Sequence, residues 1–386
     1  MQTITAERVP ILVWGESADE QTLEQARHLA NLPFAVGHVA LMPDAHVGFG
    51  MPIGGVMAAQ GQVIPHAVGL DIGCGVRAWC TNIPVSELGE SIDEVLLQIQ
   101  RAVPQGFHWF DTSQADRTGL FDDVPDIPVL RQQMDRAQKQ IGTLGGGNHF
   151  IELQADPDGL VWVMIHSGSR NLGKQMAEHY DQVARSENRL ARSPVPSEWG
   201  LAHLDVDSGA GAEYLEVMDW CLAFAAENRR LMGESVQQVL DRRFPSVTPE
   251  PAIDVHHNYA AVEEHGGEPV VVHRKGAVRA RGTVAIPGSM GTSSYIAEGL
   301  GKPEAFESCS HGAGRAMGRK AAMRAITREQ VYAELEASGV RLVTASKRDI
   351  AQEAPEAYKD IDDVMRWQRD LVEPRIRLVP LGVVKG

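Results

Sequence analysis

Cysteine is scarce: among 386 residues there are four, Cys74, Cys80, Cys221 and Cys309. They are scattered too widely for a disulfide framework, and none forms the CxxC pair of a zinc ribbon, so a reduced cytoplasm is the expected setting. No apolar run approaches the ~18 residues of a membrane span, and the opening MQTITAERVPILVWGES lacks the basic stretch, apolar core and small-residue cleavage site of a secretion signal. Neither a secreted nor a membrane protein is expected. Positive charge is in deficit as well, with 36 Lys and Arg against 51 Asp and Glu and a net charge of -15. A surface of that sign repels polyanions at large, so a nucleic-acid partner has to find a local basic patch. No fixed-period repeat appears, which removes solenoids and propellers.

What the chain does contain is an alternation of Gly- and Pro-rich strand-and-loop stretches with a few long helices, an α+β pattern. The length allows one large domain or two to three ordinary ones. Residues 19–31 (DEQTLEQARHLAN) pattern as an amphipathic helix with Leu23, Ala26, Leu29 and Ala30 on one face, stopped ahead of Pro33. Short strands are expected from there through Ala59. Residues 160–166 (LVWVMIH) read as a buried strand, and 212–232 as a helix with Leu215, Met218, Leu222 and Ala225 in phase. Strands around a basic turn are predicted over 268–287, and a helix opening on glycine over 312–326. The stretch 111–128 (DTSQADRTGLFDDVPDIP) is acidic and Pro-containing with little to bury, and is expected to be a mobile loop.

The chemistry-bearing residues sit in unusual company. Asp71 and Cys74 lie three apart in GLDIGCG, a segment otherwise made of glycine and apolar side chains. His149 falls in LGGGNHFIE, His166 in MIHSGSR, His256 and His257 in HHNYA, and His311 in HGAGR; each borders glycine, asparagine or a strand end. One such histidine alone is an ordinary hydrogen-bonded structural residue. Several together, with Asp71 and Cys74, supply oxygen, sulfur and nitrogen donors for one or two divalent ions, and thiolate plus imidazole by itself suggests zinc.

Familiar nucleotide motifs fail. Gly168 to Gln175 (GSRNLGKQ) has the GxxxxGK spacing of a P-loop but ends in Gln, which offers magnesium no hydroxyl. Gly312 to Gly318 imitates a dinucleotide loop without a preceding buried strand. No lysine is followed by the x-[Asp/His/Asn]-Gly pattern of lysine-dependent nucleotidyl transferases, so another nucleophile is needed. His311 fits that vacancy, because an imidazole nitrogen attacks an activated phosphorus once cations neutralise the phosphate. Arg315 and Arg319 follow at i+4 and i+8, on one side of the predicted helix. They read either as a phosphate pocket or as a solvated arginine face. A second cluster, His273-Arg274-Lys275 with Arg279 and Arg281, reads equally as a phosphodiester-binding patch or a solvated charge run.

In order along the chain stand MPDAHVGFGMPIGGV, VGLDIGCGVRA, TLGGGNHFIEL, MIHSGSRNLGK, HHNYA, RKGAV, IPGSMGTSSYI, SCSHGAGR, AYKDID and VKG. Through these segments the chain resembles the RtcB family of GTP-dependent RNA ligases. The resemblance implies a single α+β domain over 1–386, with mixed and antiparallel sheets, flanking helices and a deep active-site cleft. It implies two manganese ions that share Cys74, with Asp71 and His149 on one and His166 and His257 on the other. It implies GMP transfer from GTP to His311, with Arg315 and Arg319 spreading the developing charge. Nucleotide contacts would fall on Asn148, Glu152, Asn258, Pro287, Gly288, Ser289, Met290, Ser294, Gly312, Ala313, Gly314, Tyr358 and Lys385. A carboxylate such as Glu152 accepts from N1 and N2 of guanine, which selects GTP over ATP.

The family's reaction joins RNA ends bearing a 3′-phosphate or 2′,3′-cyclic phosphate to 5′-hydroxyl ends, in tRNA splicing or RNA repair. A small activating protein, archease, is a frequent partner of its members. Protonation of His311 would remove its lone pair, so GMP loading should weaken at acid pH. The alternatives are a metal-dependent RNA-end phosphodiesterase, a 3′-phosphate guanylyl-capping enzyme and a non-catalytic RNA-binding module. The segment between Ile99 and Ile141 is compact where several relatives carry a longer insertion, and this leaves the choice of RNA open.

Overall fold

The computed structural model describes residues 1–15, 18–244, 251–344 and 350–386. The first helix, Glu20–Ala30, starts where the carboxylate of Asp19 accepts the backbone N–H of Thr22 at 3.0 Å, an N-cap that satisfies one of the helix's free donors. It buries Ala26, Leu29 and Ala30, as the spacing predicts. The strands that follow are long, not short: Ala35–Phe49 and Met51–Ala59 form one antiparallel hairpin. Its register shifts between Leu41 and His46. Such irregularities bend a strand and re-aim its side chains, and this one carries Asp44 and His46.

Two sheets dominate. The six-stranded one runs Gln2–Ile4, Ile11–Val13, Ala35–Phe49, Met51–Ala59, Glu268–Lys275, Asn258–His265. All its neighbours are antiparallel except Ile11–Val13 against Ala35–Phe49. The larger sheet runs Ile253–His256, Gly75–Pro84, Leu160–Ser167, Phe150–Ala155, Val372–Lys385, Ser294–Leu300, Arg281–Ile286, with Arg341–Thr344 added in parallel alongside Val372–Lys385. The fold is α+β, as expected, with antiparallel pairing prevailing in mixed sheets.

The register of the larger sheet positions the site. His256 pairs with Gly75, Gly75 with Ser167, His166 with Phe150, and Phe150 with Lys385. Cys74, His149, His166 and His257 therefore lie at the ends of adjacent strands along one edge. Against this sheet packs the helix Gly209–Arg243, far longer than the predicted 212–232. Its buried stripe runs through Tyr214, Met218, Cys221, Phe224 and Ala225, so Met218 and Ala225 face inward while Leu215 and Leu222 sit half-buried at the margin.

Other expectations change as well. The stretch 111–128 has more to bury than its acidity suggested: Val124 and Ile127 enter the core, and Phe121 packs edge-on against Trp220 and Phe224. Arg230 donates to the carbonyl of Arg117 at 3.1 Å, so the stretch is an anchored loop on the long helix. The helix predicted over 312–326 is confined to Arg319–Ala325. Residues 312–314 instead form a close-packed glycine turn over Asp44, where Gly314 has φ +70° and a Cβ would strike the Asp44 backbone.

The basic cluster divides: His273, Arg274 and Lys275 are buried on a strand inside the six-stranded sheet, while Arg279 and Arg281 lie on other strands and stay exposed. Arg274 is fully buried against Glu263, donating from Nη2 to Oε2 at 3.0 Å. Lys275 donates to the carbonyls of Phe49 and His66 at 2.7 and 2.9 Å, and burial pulls its pKa down to about 7. Arg279 and Arg281 both pair with Glu307.

Candidate active site

The turn after Gly69 folds so that the Cys74 amide donates to the Asp71 carbonyl at 3.1 Å, which brings carboxylate and thiol to one face. The chain leaving the strand Leu160–Ser167 passes close behind; a Cβ on Gly168 would collide with the Asp71 carboxylate. Ligand-type atoms of Asp71, Cys74 and His149 lie within 4.8 Å of one another, and so do those of Cys74, His166 and His257. The sulfur stands 3.4 Å from Nε2 of His149 and 3.3 Å from Nε2 of His166. Five residues singled out from separate segments of sequence thus meet in two groups that share Cys74.

The hydrogen bonds of the ring nitrogens fix what these groups can hold. Nδ1 of His149 faces the carbonyl of Leu144 at 2.9 Å, and Nδ1 of His166 that of Asn148 at 3.1 Å. A carbonyl only accepts, so each Nδ1 carries a proton, and in the neutral ring the lone pair then sits on Nε2. His257 donates from Nδ1 to Oδ1 of Asn258 at 3.2 Å, an oxygen that also accepts from the amide of Gly276. The bare Nε2 atoms of His166 and His257 then face each other at 3.0 Å, and Nε2 of His149 meets Oδ2 of Asp71 at 3.0 Å. Burial, and after it the neighbouring histidines, pushes His166 well below its ordinary pKa. Burial, and then His311, does the same for His257. Burial also pushes the Cys74 thiol well up, with Asp71 adding to it. The facing lone pairs of His166 and His257 repel unless a cation lies between them, and a cation would also deprotonate the thiol. The donor set and its outer hydrogen bonds fit divalent metal.

His311 lies beside this cage, its ring centroid 4.7 Å from that of His257. It follows the strand Ser308–Ser310, which pairs with Ala277–Arg279; the amide of Ala277 in turn donates to the His257 carbonyl. Asp44, fully buried, accepts at Oδ2 from both Nδ1 of His311 (2.6 Å) and its backbone N–H (3.1 Å). The proton is thereby held at Nδ1, and Nε2 is the free nitrogen. Asp44 escaped the reading of the sequence, although it stands inside MPDAHVGFG; a lone Asp in a strand gave no sign of its partner 267 residues away.

A cavity opens at His311. Of the residues expected to contact nucleotide, Asn148, Glu152, Pro287, Gly288, Ser289, Met290, Gly312, Ala313, Gly314, Tyr358 and Lys385 line it, together with Arg315 and Arg319. The two arginines reach it from a β-bridge to Tyr358 and from a helix start, not from one helix face. Asn258 and Ser294 do not line it. Asn258 braces His257 and the Asp71 carbonyl, while Ser294 accepts from the amide of Gly288 behind the wall. His46, Phe150 and Glu353 line the cavity without having been anticipated.

Two carboxylates there differ in state. Burial raises the pKa of Glu152 to about 8, and its Oε1 has no partner in the protein. Glu353, which burial alone would raise, is held below the usual range by Lys385, the Tyr358 hydroxyl and Arg315. Its Oε2 accepts from Tyr358 at 2.5 Å and from Lys385 at 3.3 Å.

The sequence that builds this metal-type cage, carboxylate-oriented imidazole and cationic cavity has relatives among known proteins. A model of the family described as "tRNA-splicing ligase RtcB" matches residues 25–126 and 110–386. The chain belongs to the RtcB family. The RNA-splicing ligase RtcB of Escherichia coli strain K12 is 36% identical over 413 residues, covering 100% of this chain and 99% of the relative. The tRNA-splicing ligase RtcB of Thermococcus kodakarensis is 34% identical, covering 95% and 91%. The RNA-splicing ligase RtcB of Mycobacterium tuberculosis is 34% identical, covering 94% and 100%. RtcB family membership spans both sheets and every segment that forms the cage. Among the described residues no helix is long and apolar enough to cross a membrane.

Proposed function

We propose that this protein is an RNA ligase that uses GTP to join a 3′-phosphate or 2′,3′-cyclic phosphate end to a 5′-hydroxyl end, through GMP carried on His311. The observation that carries the reading is the placement of His311, aimed by Asp44, against the His257 edge of the cage and in the wall of the cavity. Two manganese ions, one held by Asp71, Cys74 and His149 and one by Cys74, His166 and His257, would supply Lewis acidity at the phosphate oxygens.

The chain's own residues do the rest. Nε2 of His311 attacks the α-phosphorus of GTP; the P–N bond forms as the bond to the β-phosphate oxygen breaks and pyrophosphate leaves. Asp44 keeps the proton on Nδ1 and faces the positive charge that the ring acquires. An oxygen of the RNA 3′-phosphate then displaces the imidazole, leaving an RNA(3′)pp(5′)G end. The 5′-hydroxyl attacks the 3′-phosphorus, loses its proton and expels GMP. A cyclic end is first opened to the 3′-phosphate. Arg315 and Arg319 bring cationic charge to the cavity, and Glu152 accepts from N1–H and N2–H of guanine. In this reading the whole chain, 1–386, acts as one catalytic domain in the cytoplasm, on tRNA halves or damaged RNA.

Incubation with α-labelled GTP and manganese tests it. The wild-type chain should gain an acid-labile GMP adduct that His311→Ala lacks, and should join a 3′-phosphate RNA to a 5′-hydroxyl RNA. Hydrolysis of RNA ends that survives in His311→Ala, with no adduct in the wild type, would favour a phosphodiesterase instead.

A further inference from the structure

A second, larger cavity adjoins the first, and Arg319, Glu353 and Lys385 line both. Its walls carry five cationic side chains, Arg136, Arg170, Lys174, Arg319 and Lys385, against one acidic side chain, Glu353, which is already paired with Lys385. On a chain with a net charge of -15, this is a concentrated site for an anionic strand. Its rim holds two aromatic side chains two positions apart: Phe107, 94% exposed, and Trp109, 40% exposed. The guanidinium of Arg136 lies 5.0 Å over the Trp109 ring. A phenyl ring left almost wholly in water contributes nothing to the core.

The rim is also held in place. The Gly106 amide donates to the Gly145 carbonyl at 2.8 Å, and Arg170 donates to the Gly106 carbonyl and to Thr143 Oγ1, each at 3.0 Å. The shelf is thus tied to the loop that carries His149.

We propose that this cavity seats the unpaired terminal nucleotides of the RNA strand bearing the 3′-phosphate, with bases stacked on Phe107 and Trp109 and phosphates along Arg136, Arg170 and Lys174. The inference rests on the ligase reading for the identity of the strand. Aromatic shelves beside a cationic groove bind single strands with little sequence preference, because every base offers a π-face. A paired end cannot use them, since its bases are already stacked. Because Arg319, Glu353 and Lys385 line both cavities, the terminal phosphate of a strand lying here is placed next to the cavity that holds His311.

The test is fluorescence anisotropy of the full chain with a short single-stranded 3′-phosphate RNA, against the same strand lacking its last two bases. Loss of the bases should weaken binding to the wild type about 5- to 150-fold per stacked base. In Phe107→Ala/Trp109→Ala the intact strand should be weakened by a similar factor, and base removal should cost nothing further. Lys174→Gln should lower the salt dependence of binding by about 0.7 in log-log slope, which the aromatic variant leaves unchanged. Equal binding of both strands by the wild type, or a base penalty undiminished in the alanine variant, overturns the proposal. Preference for a duplex end does the same. Should the alanine variant melt early, Phe107→Tyr/Trp109→Phe decides: it must retain the base penalty. No GTP is present, so a wild type that fails to take up GMP sinks the ligase reading while the stacking result stands or falls by itself.

Discussion

Replacing Asp44 with asparagine isolates the carboxylate's charge from its shape. In the wild type Oδ2 accepts two hydrogen bonds from His311, and Oδ1 is buried with no protein partner. The asparagine amide oxygen can take over both bonds with its NH2 in the place of Oδ1, so the fold should survive with a modest loss of stability. What disappears is the negative charge facing the ring as Nε2 bonds to phosphorus. Hydrogen bonds involving a charged group are worth about 1.5–3 kcal/mol, which corresponds to about a 10- to 150-fold slower step. If the NH2 turns toward Nδ1 instead, the ring must shift its proton to Nε2, and the nucleophile is lost altogether. The assay is single-turnover transfer of label from α-labelled GTP to protein, with the melting midpoint as control. A variant that melts like the wild type and loads within twofold of its rate would refute the claim that Asp44 sets the protonation of His311.

Cys74→Ala should lower bound manganese at both positions, while His149→Ala should lower it at one; metal content after equilibration in manganese buffer distinguishes them, and full loading of Cys74→Ala would break the shared-sulfur reading. Glu152, with a pKa of about 8, is protonated in the free protein at pH 7, and its ionised form is the one that accepts from guanine. Binding of a guanine nucleotide should therefore release close to one proton at pH 7, and affinity should rise with pH up to about 8 and then level off. Calorimetry in buffers of different ionisation heat measures the release, and Glu152→Gln should abolish it. Glu263→Gln leaves the fully buried Arg274 without its counter-charge and should cost about 3–5 kcal/mol in urea denaturation, with GMP loading retained in the folded fraction.

The parts of the site legible in sequence were those with local signatures. Glycine, asparagine and strand ends around Asp71, Cys74, His149, His166, His257 and His311 marked positions where backbones approach closely, and these residues converge. Asp44 was not legible, because its role depends on a register shift in a hairpin and a partner in a distant strand. Charge misled in two places. Arg274 and Lys275 looked like a surface run but lie on an interior strand whose counter-charge, Glu263, comes from the neighbouring strand. The acidic loop 111–128 hid an apolar minority, Phe121, Val124 and Ile127, spaced without helical or strand period. Helical periodicity placed the helix Gly209–Arg243 correctly in the chain but ended it at 232, although Val236, Val239 and Leu240 continue its buried stripe, and it gave no role to Asn228 and Arg229, which the helix buries among apolar residues.

Those two consecutive residues reach every segment that bears a cage residue. Asn228 accepts from the amides of Gly142 and Thr143 and donates to the Gly168 carbonyl; Arg229 donates to the carbonyls of Gly73 and Ser167 and, through Asp254, grips the strand that leads to His257. Neither contributes a donor atom to the cage. Anyone grafting this constellation onto another scaffold, or trimming the long helix to make a smaller catalyst, would therefore have to transplant a pair of side chains that no inventory of reactive groups would include.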